Sequence, residues 1–480
     1  MEMVEERGVR GLQGIDSVLV VGLGISGRAA AGRLLHEGIK VTVNDISTVE
    51  PLREAAAELR ERGAECALGH HDLTLLEGVD LVVVSPGVMP RLPLLQEAVA
   101  RAIPVWSEVE LAWRLARAEM VAVTGTNGKT TTVSMITWIC NQAGRPAVAA
   151  GNIGYPLIAA VKEAEEGALL VAEVSSFQLS YIVDFRPAVA VLLNIGEDHF
   201  DWHEDMGEYM AAKSRIWLNQ EGDDLVVCNL DDPACAQAAA GAPAGVLFFS
   251  RRPREEAAVY MSGDRMCFRQ PRGGGKAEPE REIMHARKLR LPGGHNLENA
   301  MAAAAAAIAL GVDPRAAGEA LASFRGLNHR LQFLGEAGGA GFYDDSKATN
   351  PHATLRALDA FAGPLVVILG GRNKGLGFGE LAAELKRRAD LGEVRAVYLI
   401  GEAAWEIAAA LGDEGERMAV REMPGLEEVF EDLPRTAEAG DTVLFSPACA
   451  SFDRYKDYKE RGRHFQAMVS EYRAGGKSVG

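Results

Sequence analysis

The chain has 480 residues, 48% of them hydrophobic, a length that sets an expectation of about three domains, each with its own core. Its 67 acidic against 50 basic residues give a formal net charge of −17, which argues against a nucleic-acid partner, because that requires a basic face. Six scattered cysteines with no C-x-x-C pair favour reduced thiols and a cytoplasmic address; no signal-peptide core precedes them, and the most apolar tract, residues 300–310, falls well short of the ~20 residues needed for membrane insertion.

The first predicted strand, residues 17–22, runs into Gly22-Leu-Gly24-Ile-Ser26-Gly27 and then a helix over 28–37. This is G-x-G-x-x-G in a strand–turn–helix context, with Asp45 following at the end of the next strand, where a ribose-binding acid is expected. The pattern suits NAD(P), the phosphates of another nucleotide, or a simple tight turn. A third strand, residues 80–84, ends in Ser85-Pro86-Gly87, whose small side chains leave room at a sheet edge. A polar helix over 107–117 reads as the linker to a second domain.

The second domain opens on a β-branched strand at Val121 that breaks into Thr124-Gly125-Thr126-Asn127-Gly128-Lys129-Thr130-Thr131, followed by a helix to about residue 141. Strand, glycine loop, Lys-Thr and helix together hold nucleotide phosphates. Backbone amides and the helix N-terminus face the anion, the lysine adds charge, and a hydroxyl can ligate Mg²⁺. The spacing is shorter than the usual phosphate loop, with Val123 where the first glycine would stand. Later strands end in Gly151-Asn152-Ile-Gly154, in Glu173 with Ser175, and in Asn194 with Asp198 and His199. In an open parallel sheet these ends gather on the ligand side, and a strand-end acid there is a good Mg²⁺ ligand. His199 and His203 could suggest zinc, but no third ligand is spaced to join them. Lys213, read by itself, is a surface lysine.

Residues 250–290, rich in charge, Gly and Pro, read as a weakly structured or hairpin excursion without chemistry. Asn296 and Asn299 open an alanine-rich helix, either as caps or as base-contacting amides. A hinge at Leu327-Asn-His-Arg330 leads to a third domain. Its strands end in Asp345-Ser-Lys347-Ala-Thr349-Asn350, Gly370-Gly-Arg-Asn-Lys374 and Ser446-Pro-Ala-Cys-Ala-Ser-Phe452, which together suggest an anion-binding face.

Taken together these stretches resemble the Mur ligases of bacterial cell-wall synthesis, from Gly22 to about Arg463. Thr124 to Thr130 is similar to that family's own short phosphate loop; Glu173 with 175–178, Asn194 with Asp198 and His199, 294–296 with Asn299, and His329-Arg330 match as well. Residues 345–350 and 446–452 resemble the branch that adds D-glutamate. Trp202 departs from the family pattern at a variable position. The resemblance implies an α/β chain of three domains: a Rossmann-like UDP-binding domain (1–107), a central P-loop ATPase-type parallel sheet (108–326) and a C-terminal Rossmann-like amino-acid-binding domain (327–480).

It also implies an ATP-dependent ligase that phosphorylates the alanyl carboxylate of UDP-N-acetylmuramoyl-L-alanine and joins D-glutamate to it, with two Mg²⁺ ions and a monomeric chain. Gly125 to Thr131 would hold the phosphates, and Thr130 and Glu173 one metal. His199 would hold the second, together with Lys213 once carbamylated, which overrides the surface reading of that lysine. Asn296, Asn299, Arg330 and Asp345 would contact ATP. Gly24, Ser26, Gly27, Asp45, Ser85, Pro86 and Gly87 would bind the UDP end, Asn152 and Ser175 the muramoyl part, and Lys347, Thr349, Ser446 and Phe452 D-glutamate. The alternatives are another Mur or folylpolyglutamate-type ligase, an NAD(P)-dependent oxidoreductase resting on the first fingerprint, or a nucleotide switch.

Overall fold

A computed structural model describes residues 11–164, 167–196, 202–203, 205–270, 279–361, 363–412 and 418–474. The chain is α/β throughout, with three sheets in sequence order. It divides into two compact units: Met1–Lys288 with Glu298–Ala322, and Leu289–Leu297 with Ser323–Gly480.

The first sheet holds β1 (Ser17–Val21), β2 (Lys40–Asp45), β3 (Glu65–Leu68), β4 (Leu81–Val84) and β5 (Val105–Ser107), all parallel, in the order β3-β2-β1-β4-β5. Strand order reverses between β1 and β4, and ligands of open α/β sheets sit at such a switch point. Both the Gly22 turn and the Ser85 turn lie there. The helix Ile25–His36 begins directly on the glycine turn, three residues earlier than the sequence suggested.

The second sheet holds β6 (Glu119–Thr124), β7 (Ala147–Gly151), β8 (Leu169–Glu173), β9 (Val189–Leu192), β10 (Leu225–Asn229), β11 (Gly245–Ser250), β12 (Ala257–Ser262), β13 (Arg265–Phe268) and β14 (Arg281–His285). Its order is β14-β13-β12-β11-β10-β9-β6-β8-β7. The strand carrying the phosphate loop, β6, therefore lies between β9 and β8, whose ends supply Asn194 and Glu173. Within residues 250–290 the hairpin alternative holds for the described residues, β12 and β13 pairing antiparallel. The described part adds three strands to the sheet, turning at Gly263 (φ 64°) and burying Tyr260, Met266, Cys267 and Ile283.

The 107–117 segment also differs from its sequence reading. The helix Glu108–Leu115, capped by the Ser107 hydroxyl on the Glu110 amide, is largely buried. Its carboxylates look like solvent markers in the sequence, yet in the fold they accept backbone amides. One apolar core runs through the first unit and includes residues of both sheets, from Val18 and Val20 to Ala122 and Leu170.

The second unit holds β15 (Gln332–Ala337), β16 (Ala340–Asp344), β17 (Leu365–Gly370), β18 (Val394–Ile400), β19 (Ala419–Glu422) and β20 (Thr442–Phe445), in the order β15-β16-β20-β17-β18-β19. Only β15 is antiparallel. Among the described residues no helix is long and apolar enough to cross a membrane.

Candidate active site

The loop after β6 is shaped by two glycines with positive φ, Gly125 at 150° and Gly128 at 83°. Gly128 stands at the N-cap of the Lys129–Gln142 helix with no side-chain cap, and a helix N-terminus of this kind suits an anion. Only glycine fits there: a Cβ would lie 2.2 Å from Asn299 Oδ1. That same oxygen accepts from the Thr132 hydroxyl at 3.3 Å. Thr131, between Lys129 and the buried helix body, is itself buried.

On its other side the loop is pinned to the end of β9. Asn194 accepts from the Asn127 amide at 2.8 Å and donates to the Asn127 carbonyl at 3.1 Å, while the Thr126 amide donates to the Asn194 carbonyl at 3.0 Å. The Thr126 hydroxyl accepts from the Gly196 amide at 2.9 Å and lies 3.2 Å from the Tyr209 hydroxyl.

Two lysines converge on this loop. Lys129 Nζ donates to the carbonyls of Gly125 and Thr126 at 2.8 and 2.9 Å. Lys213, 1% exposed, donates to the same Gly125 carbonyl at 3.0 Å and stands over the Tyr209 ring at 4.4 Å. The surface reading of Lys213 therefore fails, because its helix Met206–Ser214 turns it inward.

At the end of β8 the Thr130 hydroxyl donates to Glu173 Oε2 at 2.7 Å, and Asn152 donates to Glu173 Oε1 at 3.4 Å. A hydroxyl and a carboxylate beside an uncapped helix start suit Mg²⁺, which takes oxygen ligands and completes its shell with phosphates and water. Among the described residues no group of three or more His, Cys, Asp or Glu could hold a metal. His199 and Asp198 lie outside the described residues.

Asn152 also lines a cavity of about 930 Å³ at the β1–β4 switch point. Gly24, Ser26, Asp45, Ser85, Pro86 and Gly87 all line it too. Asp45 is committed to the protein, accepting the amides of Leu23 (2.7 Å) and Ser47 (2.8 Å), so it shapes the first glycine turn. Gly27 does not line the cavity. It lets the helix approach β1, since a Cβ there would be 1.8 Å from the Gly22 carbonyl. Ser175 is absent from the lining as well, and forms a capping box with Gln178. Two further lining residues, His71 and Arg91, belong to no motif; the fold alone brings them in.

In the second unit, Asp345 and Ser446 meet at the ends of neighbouring strands. The Ser446 hydroxyl donates to Asp345 Oδ2 at 2.7 Å, and the Leu331 amide donates to Oδ1 at 3.2 Å. Burial pushes the Asp345 carboxyl up to about 7 in spite of these bonds. Burial acts in the same direction on Asp344, but bonds from His329, Ser346 and Gln466 outweigh it and hold that carboxyl below its usual value. His329 (φ 64°) and Leu331 (φ 40°) take left-handed backbone on either side of Arg330. Lys347 and Phe452 are exposed, and Lys374 donates to the Thr349 hydroxyl at 3.3 Å. Asn296 is not a cap, because it lies inside the helix Gly294–Ala309 and donates to the Pro292 carbonyl at 2.7 Å. Arg461, 1% exposed and unmarked in the sequence, donates to the carbonyls of Ser346 and Cys449.

Comparison with known proteins covers most of the chain. Residues 16–107 match the Mur ligase MurD-like N-terminal domain, 123–307 the Mur ligase middle domain, and 329–449 the Mur ligase glutamate ligase domain. UDP-N-acetylmuramoylalanine--D-glutamate ligase of Pelotomaculum thermopropionicum is 41% identical over 95% of this chain and 98% of its own. The ligase of the same name from Geotalea daltonii is also 41% identical, over 94% and 96%. Among solved structures, Thermotoga maritima UDP-N-acetylmuramate-alanine ligase MurC shares the fold with a TM-score of 0.52 at 21% identity, covering 96% of this chain and 99% of that one. The MurF ligase of the same organism, in complex with ADP, gives 0.52 at 18%, covering 91% and 95%. With relatives this close over nearly its full length, the chain belongs to the Mur ligase family, alongside its UDP-N-acetylmuramoylalanine--D-glutamate ligases.

Proposed function

We propose that the protein is the ATP-dependent ligase that adds D-glutamate to the alanyl carboxylate of UDP-N-acetylmuramoyl-L-alanine in peptidoglycan precursor synthesis. The observation that carries this reading is Asn152, which donates to Glu173 beside the phosphate loop and also lines the nucleotide-sized cavity. A substrate filling that cavity has its reactive end beside the group that would hold a nucleotide's phosphates.

A carboxylate does not acylate an amine in water until it has a leaving group. The alanyl carboxylate oxygen attacks the terminal phosphorus of ATP, giving an acyl phosphate and ADP. The amine of D-glutamate then adds to the acyl carbon, and collapse expels phosphate. Such chemistry depends mostly on positioning and charge neutralisation. Lys129 leaves its loop carbonyls for the transferring phosphate, and the amides from Gly125 to Thr131 receive the rest of the chain. Thr130 and Glu173 would hold Mg²⁺, which supplies charge neutralisation at the phosphates when bound. Carbamylation would turn Lys213 into an oxygen ligand for a second ion, with His199 as its partner.

For the remaining groups the same reading assigns Asn296, Asn299, Arg330 and Asp345 to ATP. Gly24, Ser26 and 85–87 take the UDP end. Lys347, Thr349 and Ser446 answer the carboxylates of D-glutamate, and Phe452 flanks them. The cysteines are all free, which accords with a reducing cytoplasm, and the same reading takes the chain as a monomer.

Phosphate release tests the reaction, with ATP, Mg²⁺, UDP-N-acetylmuramoyl-L-alanine and D-glutamate each omitted in turn. Release should need all four and should fail with L-alanine or a diamino acid in place of D-glutamate. Release without an amino acid would leave a hydrolase or a switch.

A further inference from the structure

We propose that Glu108 is a positioning residue for the nucleotide-sugar. From behind the site it holds the segment Gly151–Pro156, which carries Asn152. The inference rests on the ligase reading above.

The two acids of this helix behave differently. Glu110 is saturated: it accepts the amides of Val183 and Phe185, each at 2.9 Å, and pairs with Arg114 at 2.7 Å. It fastens one helix to one loop, a structural duty. Glu108 is 1% exposed and accepts the Ile158 amide at 2.7 Å. Its other oxygen makes no hydrogen bond among the described residues. A buried carboxyl with an unsatisfied oxygen is costly to keep, so a position that retains one calls for an explanation.

What it touches supplies that explanation. Ile158 lies in the first turn of the helix Leu157–Glu163, directly after the loop in which Gly151, Asn152, Gly154 and Pro156 line the cavity. The carboxyl thus anchors the chain directly behind the Asn152 loop. Burial raises it to about 7, in keeping with a group that can serve as a neutral carboxyl in the folded chain. Asn152 reaches Glu173 at 3.4 Å, the long end of a hydrogen bond, so a small shift of its loop disconnects it.

The test uses the full chain and three variants, Glu108→Ala, Glu108→Gln and Leu111→Ala. The last is a buried truncation on the same helix that reports what lost packing alone does. Glu108→Ala should raise KM for UDP-N-acetylmuramoyl-L-alanine at least roughly tenfold and leave KM for ATP and D-glutamate within about threefold. Glu108→Gln, which keeps shape and acceptor, should stay within about threefold on all of them. Leu111→Ala should lower Tm without splitting the KM values. If Glu108→Ala does not fold, Glu108→Asp, which retracts the carboxyl by one carbon, should show the same split.

Calorimetric binding of UDP-N-acetylmuramoyl-L-alanine separates this inference from the ligase reading. Wild-type binding without turnover would sink the ligase and leave Glu108 to be judged on the affinity ratio between wild type and variant. Unchanged affinity and KM in Glu108→Ala, or a loss matched by Leu111→Ala, would overturn the positioning role.

Discussion

Glu108 and Glu110 stand two residues apart on one buried turn, and their carboxyls meet different surroundings. Glu110 meets three successive amides and a guanidinium. Glu108 meets mainly desolvation, which raises its carboxyl from an ordinary 4.5 to about 7. The consequence for stability has a definite sign. Below about pH 4.5 the folded and unfolded chains both hold this proton, and it contributes nothing. From there up to about pH 7 the unfolded chain releases the proton while the folded chain keeps it. Stability therefore falls by about 1.4 kcal/mol per pH unit, about 3 kcal/mol in all, and the loss is complete above pH 7. Glu108→Gln has no proton to release. Its stability relative to wild type should rise between about pH 5 and pH 8, as read from denaturant midpoints at the two pH values. An equal difference at both would mean that Glu108 is ionised in the fold or solvated in a way its burial does not suggest.

The strand–loop–helix from Glu119 to Gln142 is the element on which chemistry depends most directly. Its two left-handed glycines and uncapped helix start are determined by local sequence, and Thr130 reaches Glu173 because β6 and β8 are neighbours. Lys129 is held on its own loop carbonyls, so removing its side chain costs the fold little. Lys129→Ala should keep a normal melting profile and lose roughly 10²–10³ in turnover, as expected when one charge-stabilising group is deleted. Near-normal turnover would remove the phosphate-loop argument. This element was legible in the sequence because its chemistry and spacing lie within a dozen residues. Lys213 was not, since its burial depends on the Gly125 carbonyl, 88 residues away, and on the Tyr209 ring. The helix Glu108–Leu115 misled for a related reason: its acids are exposed by composition and buried by partners distant in sequence. Gly27 matched its motif yet serves helix packing, because the fingerprint encodes a turn and does not say which of its glycines faces a ligand.

At the scale of the whole molecule the chain is two compact units, each with apolar clusters of its own. The first contains the whole of the 930 Å³ cavity. Chains with more than one such unit commonly depart from two-state unfolding, so calorimetry should resolve more than one transition. A ligand that binds a folded unit and not its unfolded form stabilises that unit by mass action, about 2.7 kcal/mol at a hundred times its dissociation constant. UDP alone should therefore raise one transition by a few degrees and leave the other in place. The transition that moves should be the one lowered by Leu111→Ala, whose side chain is buried in the first unit's core. The nicotinamide reading does not make this pattern, because NAD(P) would then have to produce the shift in place of UDP. A shift by NAD(P) and none by UDP would return the Gly22–Gly27 turn to the oxidoreductases. A UDP shift confined to the transition that Leu111→Ala leaves alone would place the nucleotide-sugar in the second unit, and the cavity at the β1–β4 switch point would lose its assigned ligand.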